Sequence, residues 1–327
     1  GMLQLTEDVP FMFRDSIDRC KANRAAFKAK NFSNIIIAGM GGSAMSGDIF
    51  KSLLLGCAEI PVSVVRDYEA PSFVSSETLF FALSYSGNTE ETLSLYKKAV
   101  LKKPVTVAVS SGGKLTELVK KAKNRLFAVP GGIPPRASMP YMLVPLLYMA
   151  DELGITKDLM KDLNGTLKIL EKIRRSCLGT TNLKNNPAKK LAVKLKGKFP
   201  IILGINGTTE SAAYRWKCQF SENSKITSIA NTFPELDHNE IVNLAKRSGQ
   251  ANNFAVILLR DKNESKIMKR RIDITKKIIS KNISVIEDIW AEGDTLLSKI
   301  LSLCYLGDFV SVYLAILNGA DPTPVDA

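Results

Sequence analysis

The sequence predicts an α/β protein with two doubly wound domains, each a parallel sheet flanked by helices. In both halves of the 327 residues, short and continuously apolar runs alternate with amphipathic helical segments. Short apolar runs are typical of strands buried on both faces, and strand–helix alternation implies right-handed crossovers between parallel strands. Each half also opens with an apolar run, a glycine-containing turn and a helical segment. We therefore predict an N-terminal domain over 1–152, a helical connection over 153–185 and a C-terminal domain over 186–327.

Apolar runs in the N-terminal half are short enough to be strands. Helical segments lie between them, and the apolar residues of 44–54 and of 93–101 each fall on one helical face. The predicted strands span 35–39, 62–66, 79–83, 105–109 and 126–129. This alternation favours one parallel sheet for the N-terminal domain.

The pattern changes after the last of these strands. Residues 141–177 have a helical pattern throughout. Asn186 followed by Pro187 is a typical helix start, because Asn caps a helix and Pro suits its first position. The helices predicted for the C-terminal half span 189–198, 263–281 and 295–317, and the strands span 201–205, 226–229, 254–259 and 284–289.

The charge balance narrows the class of partner. The chain carries 45 Lys and Arg against 32 Asp and Glu, which gives a net charge of +13. Such an excess favours nucleic acid, an anionic membrane or a small phosphorylated molecule. The basic residues punctuate amphipathic helices without interleaved aromatic side chains, so we expect no nucleic acid partner. The longest continuous apolar run, 141–150, is about half as long as a membrane span, so we expect no membrane partner.

Thiols and imidazole are few in this chain. Five cysteines are scattered without a CxxC pair, and His238 is the single histidine. These counts argue against a zinc site, exclude a His-rich metal site and favour a reducing compartment. The first eight residues include two acids and lack the basic region of a signal peptide. We therefore expect a cytoplasmic protein.

A glycine-rich turn follows the first predicted strand. Its sequence is Gly39-Met40-Gly41-Gly42-Ser43, and it opens a helix. The backbone N–H groups of Gly41 and Gly42 can approach an anion there, and the helix N-terminus adds a partial positive charge. The turn lacks the third glycine and the later acidic residue of a dinucleotide-binding motif, and it lacks the Gly-Lys pair of a Walker loop. A close-packed strand–helix turn without a ligand remains an alternative.

A loop rich in hydroxyl groups follows the third predicted strand. Ser84, Ser86 and Thr89 lie in the segment Ser-Tyr-Ser-Gly-Asn-Thr, directly before a helical pattern. Ligands of doubly wound sheets bind at the carboxyl ends of strands, where the helix start also offers backbone donors. This composition suits a phosphate monoester that brings no nucleotide or metal. The alternative is a polar turn that caps the helix.

Three further residues are candidates for proton transfer or charge stabilisation. Arg136 follows Pro-Pro after the fifth predicted strand and can face an anionic oxygen, although a surface arginine is the alternative. Glu222 and His238 provide a carboxylate and an imidazole, the usual pair for proton transfer near neutral pH. For Glu222, a solvated position at a helix end is the alternative.

In combination and in order, these motifs resemble those of the sugar isomerase (SIS) family, in particular its bifunctional phosphoglucose/phosphomannose isomerases. The hydroxyl loop is similar to the family's phosphate loop, Ser-x-Ser-Gly-x-Thr. The resemblance runs from about residue 35 to residue 325, through the glycine turn, Pro-Pro-Arg136, Glu222-Asn-Ser-Lys and Pro-Glu-Leu-Asp-His238-Asn-Glu. It implies two SIS-type domains, each with a five-stranded parallel sheet, in a homodimer with shared active sites.

The resemblance also implies an activity and a set of roles. The substrate would be a hexose 6-phosphate, isomerised between aldose and ketose through a cis-enediol, with no metal and no nucleotide cofactor. Glu222 would move the proton between C1 and C2, Arg136 would stabilise the enediolate, and His238 would open the sugar ring from the other subunit. Thr323, in the segment Asp-Pro-Thr-Pro, would lie near C2 and leave room for either epimer. The phosphate would be bound by Ser43, Ser84, Ser86 and Thr89.

Two other functions remain open from the sequence. A regulatory protein that senses sugar phosphates through SIS-type domains would not need Glu222, Arg136 and His238 together. A nicotinamide-dependent dehydrogenase would need the acidic residue that is missing after the glycine turn. The family's lysine beyond Asp-Pro-Thr-Pro has no counterpart in this sequence, so we expect a site that lacks it.

Overall fold

The structure is a computed structural model that describes residues 1–23, 31–246 and 253–325. The chain divides into two compact units. Asp8–Asn164 forms the N-terminal unit, and Gly165–Ala327 together with Gly1–Glu7 forms the C-terminal unit. The division falls inside the connection predicted over 153–185, and the first seven residues group with the C-terminal unit.

Helices and strands alternate along the described chain. The helices are α1 (Met2–Glu7), α2 (Val9–Ala22), α3 (Gly41–Leu54), α4 (Glu90–Ala99), α5 (Gly113–Lys121), α6 (Met139–Glu152), α7 (Leu159–Cys177), α8 (Pro187–Leu195), α9 (Glu210–Gln219), α10 (Glu240–Leu244), α11 (Lys266–Ile279) and α12 (Leu296–Leu317). The strands are β1 (Asn34–Ala38), β2 (Val62–Val65), β3 (Thr78–Leu83), β4 (Val105–Ser110), β5 (Arg125–Ala128), β6 (Phe199–Ile205), β7 (Ile229–Phe233), β8 (Phe254–Arg260) and β9 (Val285–Trp290).

The N-terminal unit contains a parallel five-stranded sheet in the order β2-β1-β3-β4-β5. The sequence prediction for these strands is confirmed, with both ends of each strand within one residue of the prediction. Central strands β1 and β3 are buried along their whole length, which explains their continuously apolar sequences. The chain crosses from one side of β1 to the other between β2 and β3, so the switch point of the sheet lies between β1 and β3.

The C-terminal unit contains a second parallel sheet, in the order β7-β6-β8-β9. The resemblance implies five strands in this sheet, whereas the described part of the unit has four. Three of the predicted strands are confirmed within two residues at either end, those of β6, β8 and β9. The two-domain α/β prediction, with parallel sheets flanked by helices, is therefore confirmed.

The strand predicted over 226–229 is wrong, because the strand begins only at Ile229. The Ile226 N–H donates to the Phe220 carbonyl at 3.3 Å, so the chain here still closes the preceding helical turn. Lys225 has a left-handed backbone, with φ of 56°. The real strand, β7, is a half-exposed edge strand with mixed composition, so it lacks the continuous apolar run that signals a buried strand.

The helical segment predicted over 141–177 consists of two helices, α6 and α7. Gly154 lies between them with a positive φ of 69°, which ends the first helix. The Asp151 carboxylate then accepts the N–H groups of Leu159 and Met160 at 3.1 and 2.8 Å and satisfies the start of the second helix. The predicted start of α8 is confirmed, since the Asn186 side chain accepts the N–H of the third helical residue at 2.9 Å.

Helix α12 is long and apolar enough, by length and composition, to cross a membrane, a property that the sequence prediction missed. Within its most apolar window, however, 83% is buried inside the protein. Trp216 of α9 packs against it: the indole N–H donates to the Leu303 carbonyl at 2.8 Å. A Cβ at Gly307 would lie 2.3 Å from the indole nitrogen. Among the described helices, α12 is the one that is long and apolar enough to cross a membrane, and its contacts are those of a core helix.

Candidate active site

The glycine turn and the hydroxyl loop lie at the same edge of the N-terminal sheet. They follow β1 and β3, which are neighbours and end in register, with Ala38 opposite Ala82. The backbone N–H of Tyr85 donates to the buried hydroxyl of Ser43 at 3.2 Å and so connects the two segments. The hydroxyl proton of Ser43 is not used in this bond and can be donated to an anion. The structure thus brings Ser43 together with the loop over 84–89.

The three hydroxyls of the loop have different surroundings. Ser84 is buried, and its Oγ lies 2.9 Å from Oγ1 of the half-buried Thr89. Ser86 is exposed, and its Oγ accepts the N–H of Asn88 at 3.2 Å. One hydroxyl of the Ser84–Thr89 pair donates to the other, so the pair keeps one proton to donate and Ser86 keeps another. Helix α4 begins directly after Thr89. An oxyanion at this edge would therefore meet hydroxyl protons and a helix N-terminus.

Gly87 is required for the shape of this loop. Its φ is +70°, and a Cβ there would lie only 1.8 Å from the carbonyl oxygen of Gly112. The neighbouring Lys114 N–H donates to the Asn88 side-chain oxygen at 3.1 Å. The loop is therefore packed against the turn after β4, and the glycine in the Ser-x-Ser-Gly-x-Thr pattern has a steric cause.

Arg136 lies in a short helical turn, Pro135–Ala137, next to the glycine turn. Its side chain is 3% exposed, so the surface alternative considered from the sequence is wrong. A Cβ at Gly42 would lie 2.9 Å from the Pro135 carbonyl oxygen and 3.2 Å from the Arg136 Cα. Only glycine permits this close approach. Gly41, one residue earlier, has a φ of +47° and open space around its Cβ position.

Tyr85 connects the hydroxyl loop to the segment that carries Arg136, a role that the sequence did not suggest. Its hydroxyl donates to the Pro130 carbonyl at 2.8 Å and accepts the Ile133 N–H at 3.3 Å. Burial raises the pKa of the Tyr85 phenol, partly offset by the bond from Ile133. Its position between two predicted hydroxyl residues was the available signal, since an aromatic residue in a polar loop needs a packing partner.

Glu222 lies in a π-helical turn, Phe220–Ser224, that continues α9. Such turns are frequent at functional sites because they displace side chains from the regular helical positions. Glu222 is half-buried, whereas the next two residues are buried and bind α12. The Asn223 amide donates to the Ser311 hydroxyl at 2.9 Å, and the Ser224 hydroxyl donates to the Ser311 carbonyl at 2.6 Å. The backbone of Glu222 is therefore anchored at the end of α9, with its side chain half-exposed.

A buried ion pair between α9 and α12 is connected to this turn by hydrogen bonds. Arg215 of α9 binds Asp308 of α12 through two hydrogen bonds of 2.9 and 2.8 Å, and both side chains are about 5% exposed or less. The Gln219 amide donates to the same carboxylate at 2.7 Å. The Ser311 hydroxyl donates to the Asp308 carbonyl at 2.7 Å and so joins this ion pair to the Glu222 turn. Fully bonded networks of this kind fix one local geometry.

The segment that carries Thr323 is bound to the Glu222 turn within the same unit. The Lys225 ammonium donates to the Glu222 carbonyl and to the Pro324 carbonyl, at 2.6 Å each. The Thr323 N–H donates to the Asp321 carboxylate at 2.8 Å. This bond, with a second from the Thr323 side chain, lowers the pKa of Asp321. The structure therefore brings the Thr323 and Glu222 segments together.

His238 ends a short turn, Glu235–His238, that follows β7, and its side chain is exposed. The preceding residue, Asp237, fixes the turn onto α11. Its carboxylate accepts bonds from the Arg271 guanidinium at 3.1 Å and from the Thr275 hydroxyl at 2.8 Å. Glu222 precedes β7 and His238 follows it. The strand alone spans about 13 Å at a rise of roughly 3.3 Å per residue, so the two segments lie at opposite ends of β7.

The described ranges contain no group of three or more His, Cys, Asp or Glu side chains placed to hold a metal ion. All five cysteines are free thiols.

Known proteins match both units. A family model described as the SIS domain matches residues 29–150, and a model of the bacterial phospho-glucose isomerase C-terminal SIS domain matches residues 184–327. The chain is similar to the bifunctional phosphoglucose/phosphomannose isomerase of Caldicellulosiruptor bescii, with 40% identity over 324 residues that cover 99% of this chain and 96% of that protein. It is similar to the enzyme of the same name from Thermoplasma acidophilum, with 35% identity over 92% of this chain and 89% of that protein.

A solved structure shares the fold. The C-terminal domain of glucosamine-fructose-6-phosphate aminotransferase from Francisella tularensis superposes with a TM-score of 0.70, covering 99% of this chain and 97% of that chain. Its sequence identity is 16%, so this likeness concerns the fold alone.

Proposed function

The chain belongs to the family of bifunctional phosphoglucose/phosphomannose isomerases, and we propose a division of roles by which its residues isomerise hexose 6-phosphates. The reaction interconverts glucose 6-phosphate and mannose 6-phosphate with fructose 6-phosphate. Between aldose and ketose, one proton moves between C1 and C2 and another between O1 and O2. The enzyme must therefore hold the phosphate, open the sugar ring, move protons and stabilise an enediolate.

The N-terminal unit binds the phosphate in this proposal. The observation that carries it is the bond between Tyr85 and Ser43, which places two polar segments at the switch point of one sheet. A phosphate dianion there would accept bonds from the N–H groups of Gly41 and Gly42. It would also accept bonds from the hydroxyls of Ser43, Ser84, Ser86 and Thr89. Bonds to a charged acceptor contribute about 1.5–3 kcal/mol each.

The proton-transfer step belongs to Glu222 and Arg136. The Glu222 carboxylate takes the proton from C2 of the open-chain aldose, which gives a cis-enediolate with its charge on O1. The proton on O2 then passes to O1 through the cis-enediol, and Glu222 returns the first proton to C1 to give the ketose. The Arg136 guanidinium remains charged at any working pH and stabilises the developing negative charge on the enediolate oxygens. Thr323 lies next to C2 and leaves room for either configuration there. This arrangement accounts for two epimeric substrates in one site.

His238 opens the ring in this proposal, and it does so from a second subunit. The exposed imidazole lies beyond the carboxyl end of β7, whereas Glu222 precedes the amino end. A homodimer with shared sites would bring a partner's imidazole to the substrate that Glu222 holds.

The five free thiols support a cytoplasmic location.

The proposed substrate range is tested by measuring turnover of glucose 6-phosphate and mannose 6-phosphate side by side, in assays coupled to fructose 6-phosphate. We expect turnover of both epimers at comparable rates. Turnover of only one would contradict the bifunctional assignment. Binding of fructose 6-phosphate by calorimetry without turnover of either would instead indicate a sugar-phosphate sensor.

A further inference from the structure

Lys225 is exposed, but its ammonium group bonds to two backbone carbonyls. Its ammonium nitrogen lies 2.6 Å from the carbonyl oxygen of Glu222 and 2.6 Å from that of Pro324. The backbone of Lys225 is left-handed, with φ of 56°, a conformation that is uncommon for residues other than glycine. That conformation turns the chain immediately after the Glu222 turn.

The two acceptors belong to segments far apart in sequence. Pro324 follows Thr323 directly and lies 99 residues beyond Lys225. Within its own segment, Thr323 is oriented by the bond from its N–H to the Asp321 carboxylate. The lysine therefore joins two locally ordered turns, one with the proposed base and one with the proposed C2 contact.

Ammonium bonds to carbonyl oxygens are charge-assisted and stronger than bonds between neutral groups. The Thr323 segment lies outside the helices and strands, so its position depends on attachments of this kind. In the proposed reaction, the Glu222 carboxylate and Thr323 must both face C2. A change of about 1 Å in their separation is enough to reduce turnover about 10²-fold.

We propose that Lys225 is a positioning residue for the isomerisation: its ammonium group holds the Thr323 segment at a fixed separation from the Glu222 turn. This inference rests on the proposed function. Lys225 itself takes no part in proton transfer, and its contribution is made through the two carbonyl groups. Its loss should lower turnover of both aldose phosphates while the phosphate is still bound by the N-terminal unit.

The test compares Lys225→Met with a matched control. Lys189 also lies in the C-terminal unit and also donates to two carbonyls, those of Gly179 and Thr181, at 2.7 Å each. We expect Lys225→Met to lower kcat about 10–100-fold with KM changed less than about threefold, whereas Lys189→Met leaves kcat unchanged. Lys225→Arg, which keeps a cation with several donors, should restore most of kcat. Circular dichroism melting confirms that each variant is folded.

A double-mutant cycle with Thr323→Ala separates positioning from general stability. If Lys225 acts through the Thr323 segment, the two substitutions are strongly non-additive in kcat. Additive losses, or equal effects of Lys225→Met and Lys189→Met in an active enzyme, would overturn the inference and leave the proposed function intact. A wild-type protein without isomerase activity would instead refute the proposed function. If Lys225→Met does not fold, Lys225→Gln is measured in its place, with the same expectation and the same contrary result.

Discussion

The loops at the carboxyl ends of the central strands differ between the two sheets in what their polar groups bind. In the N-terminal unit, the loops after β1 and β3 present hydroxyls and glycine N–H groups. In the C-terminal unit, β6 and β8 occupy the corresponding neighbouring positions. In the loop after β6, however, the hydroxyl group is already bonded within the protein. The buried Thr209 hydroxyl accepts the Ile205 N–H at 2.8 Å and donates to the Leu259 carbonyl at 2.9 Å. Its proton is committed to the protein.

The end of β8 is occupied by ion pairs. Arg260, 3% exposed, binds Glu264 and also donates to Asp288 at 3.2 Å. Burial opposes the charged guanidinium, but these carboxylates outweigh it and raise the pKa of Arg260. The adjacent Asp261 pairs with Lys299 at 3.0 Å, and both side chains are buried. The protein's own charges thus fill the edge that corresponds to the hydroxyl loop of the N-terminal unit.

The comparison teaches that topology makes a ligand site available but the loop residues decide whether it is used. Hydroxyls that keep a proton free can receive a phosphate, whereas charges paired internally stabilise the unit. In the proposed function, the C-terminal unit contributes instead through Glu222 and His238, which flank its edge strand β7.

The largest expected effect is a loss of stability when the ion pairs at the end of β8 are removed. Arg260→Met leaves the buried Glu264 carboxylate without its partner, which should cost about 3–5 kcal/mol of unfolding free energy. Trp216 and Trp290, the two tryptophans of the chain, both lie in the C-terminal unit, so urea unfolding followed by tryptophan fluorescence measures this unit.

The control for this variant is Lys194→Met, in the same unit. Lys194 pairs with Glu287 at 2.6 Å in a partly exposed setting, where loss of the ion pair should cost about 0–1 kcal/mol. If Arg260→Met destabilised the C-terminal unit no more than Lys194→Met, the edge would not be held by its ion pairs, and the contrast between the units would fail.

A smaller and more selective effect should follow from removing one hydroxyl at each edge. Ser84→Ala should raise KM for fructose 6-phosphate about 10-fold or more, because it removes one bond to a charged phosphate. Thr209→Val should leave KM unchanged and lower the unfolding free energy by about 1–3 kcal/mol, because it leaves two buried backbone groups unpaired. Steady-state kinetics and urea unfolding on both variants measure the two quantities. Interchanged results would contradict the assignment of the two edges.

The strands and the position of the hydroxyl loop could be predicted from the sequence, because buried parallel strands and the turns that follow them have strong local patterns. It placed β7 too early, because an edge strand with a polar face lacks that pattern. An aromatic residue in a polar loop signalled that Tyr85 needs a packing partner, but the partners of Tyr85 and Lys225 were not predictable, since they lie in segments distant in sequence. The buried position of Arg136 depends likewise on the close approach at Gly42.

The central claim is that the N-terminal unit binds the phosphate and the C-terminal unit moves the proton. Glu222→Gln tests it most directly, because the amide keeps the shape of the side chain but cannot accept the C2 proton. We predict that kcat for both aldose phosphates falls about 10²–10⁴-fold. Calorimetry should show fructose 6-phosphate binding within about threefold of wild type. Turnover near the wild-type rate would contradict the claim, as would loss of binding in a folded variant.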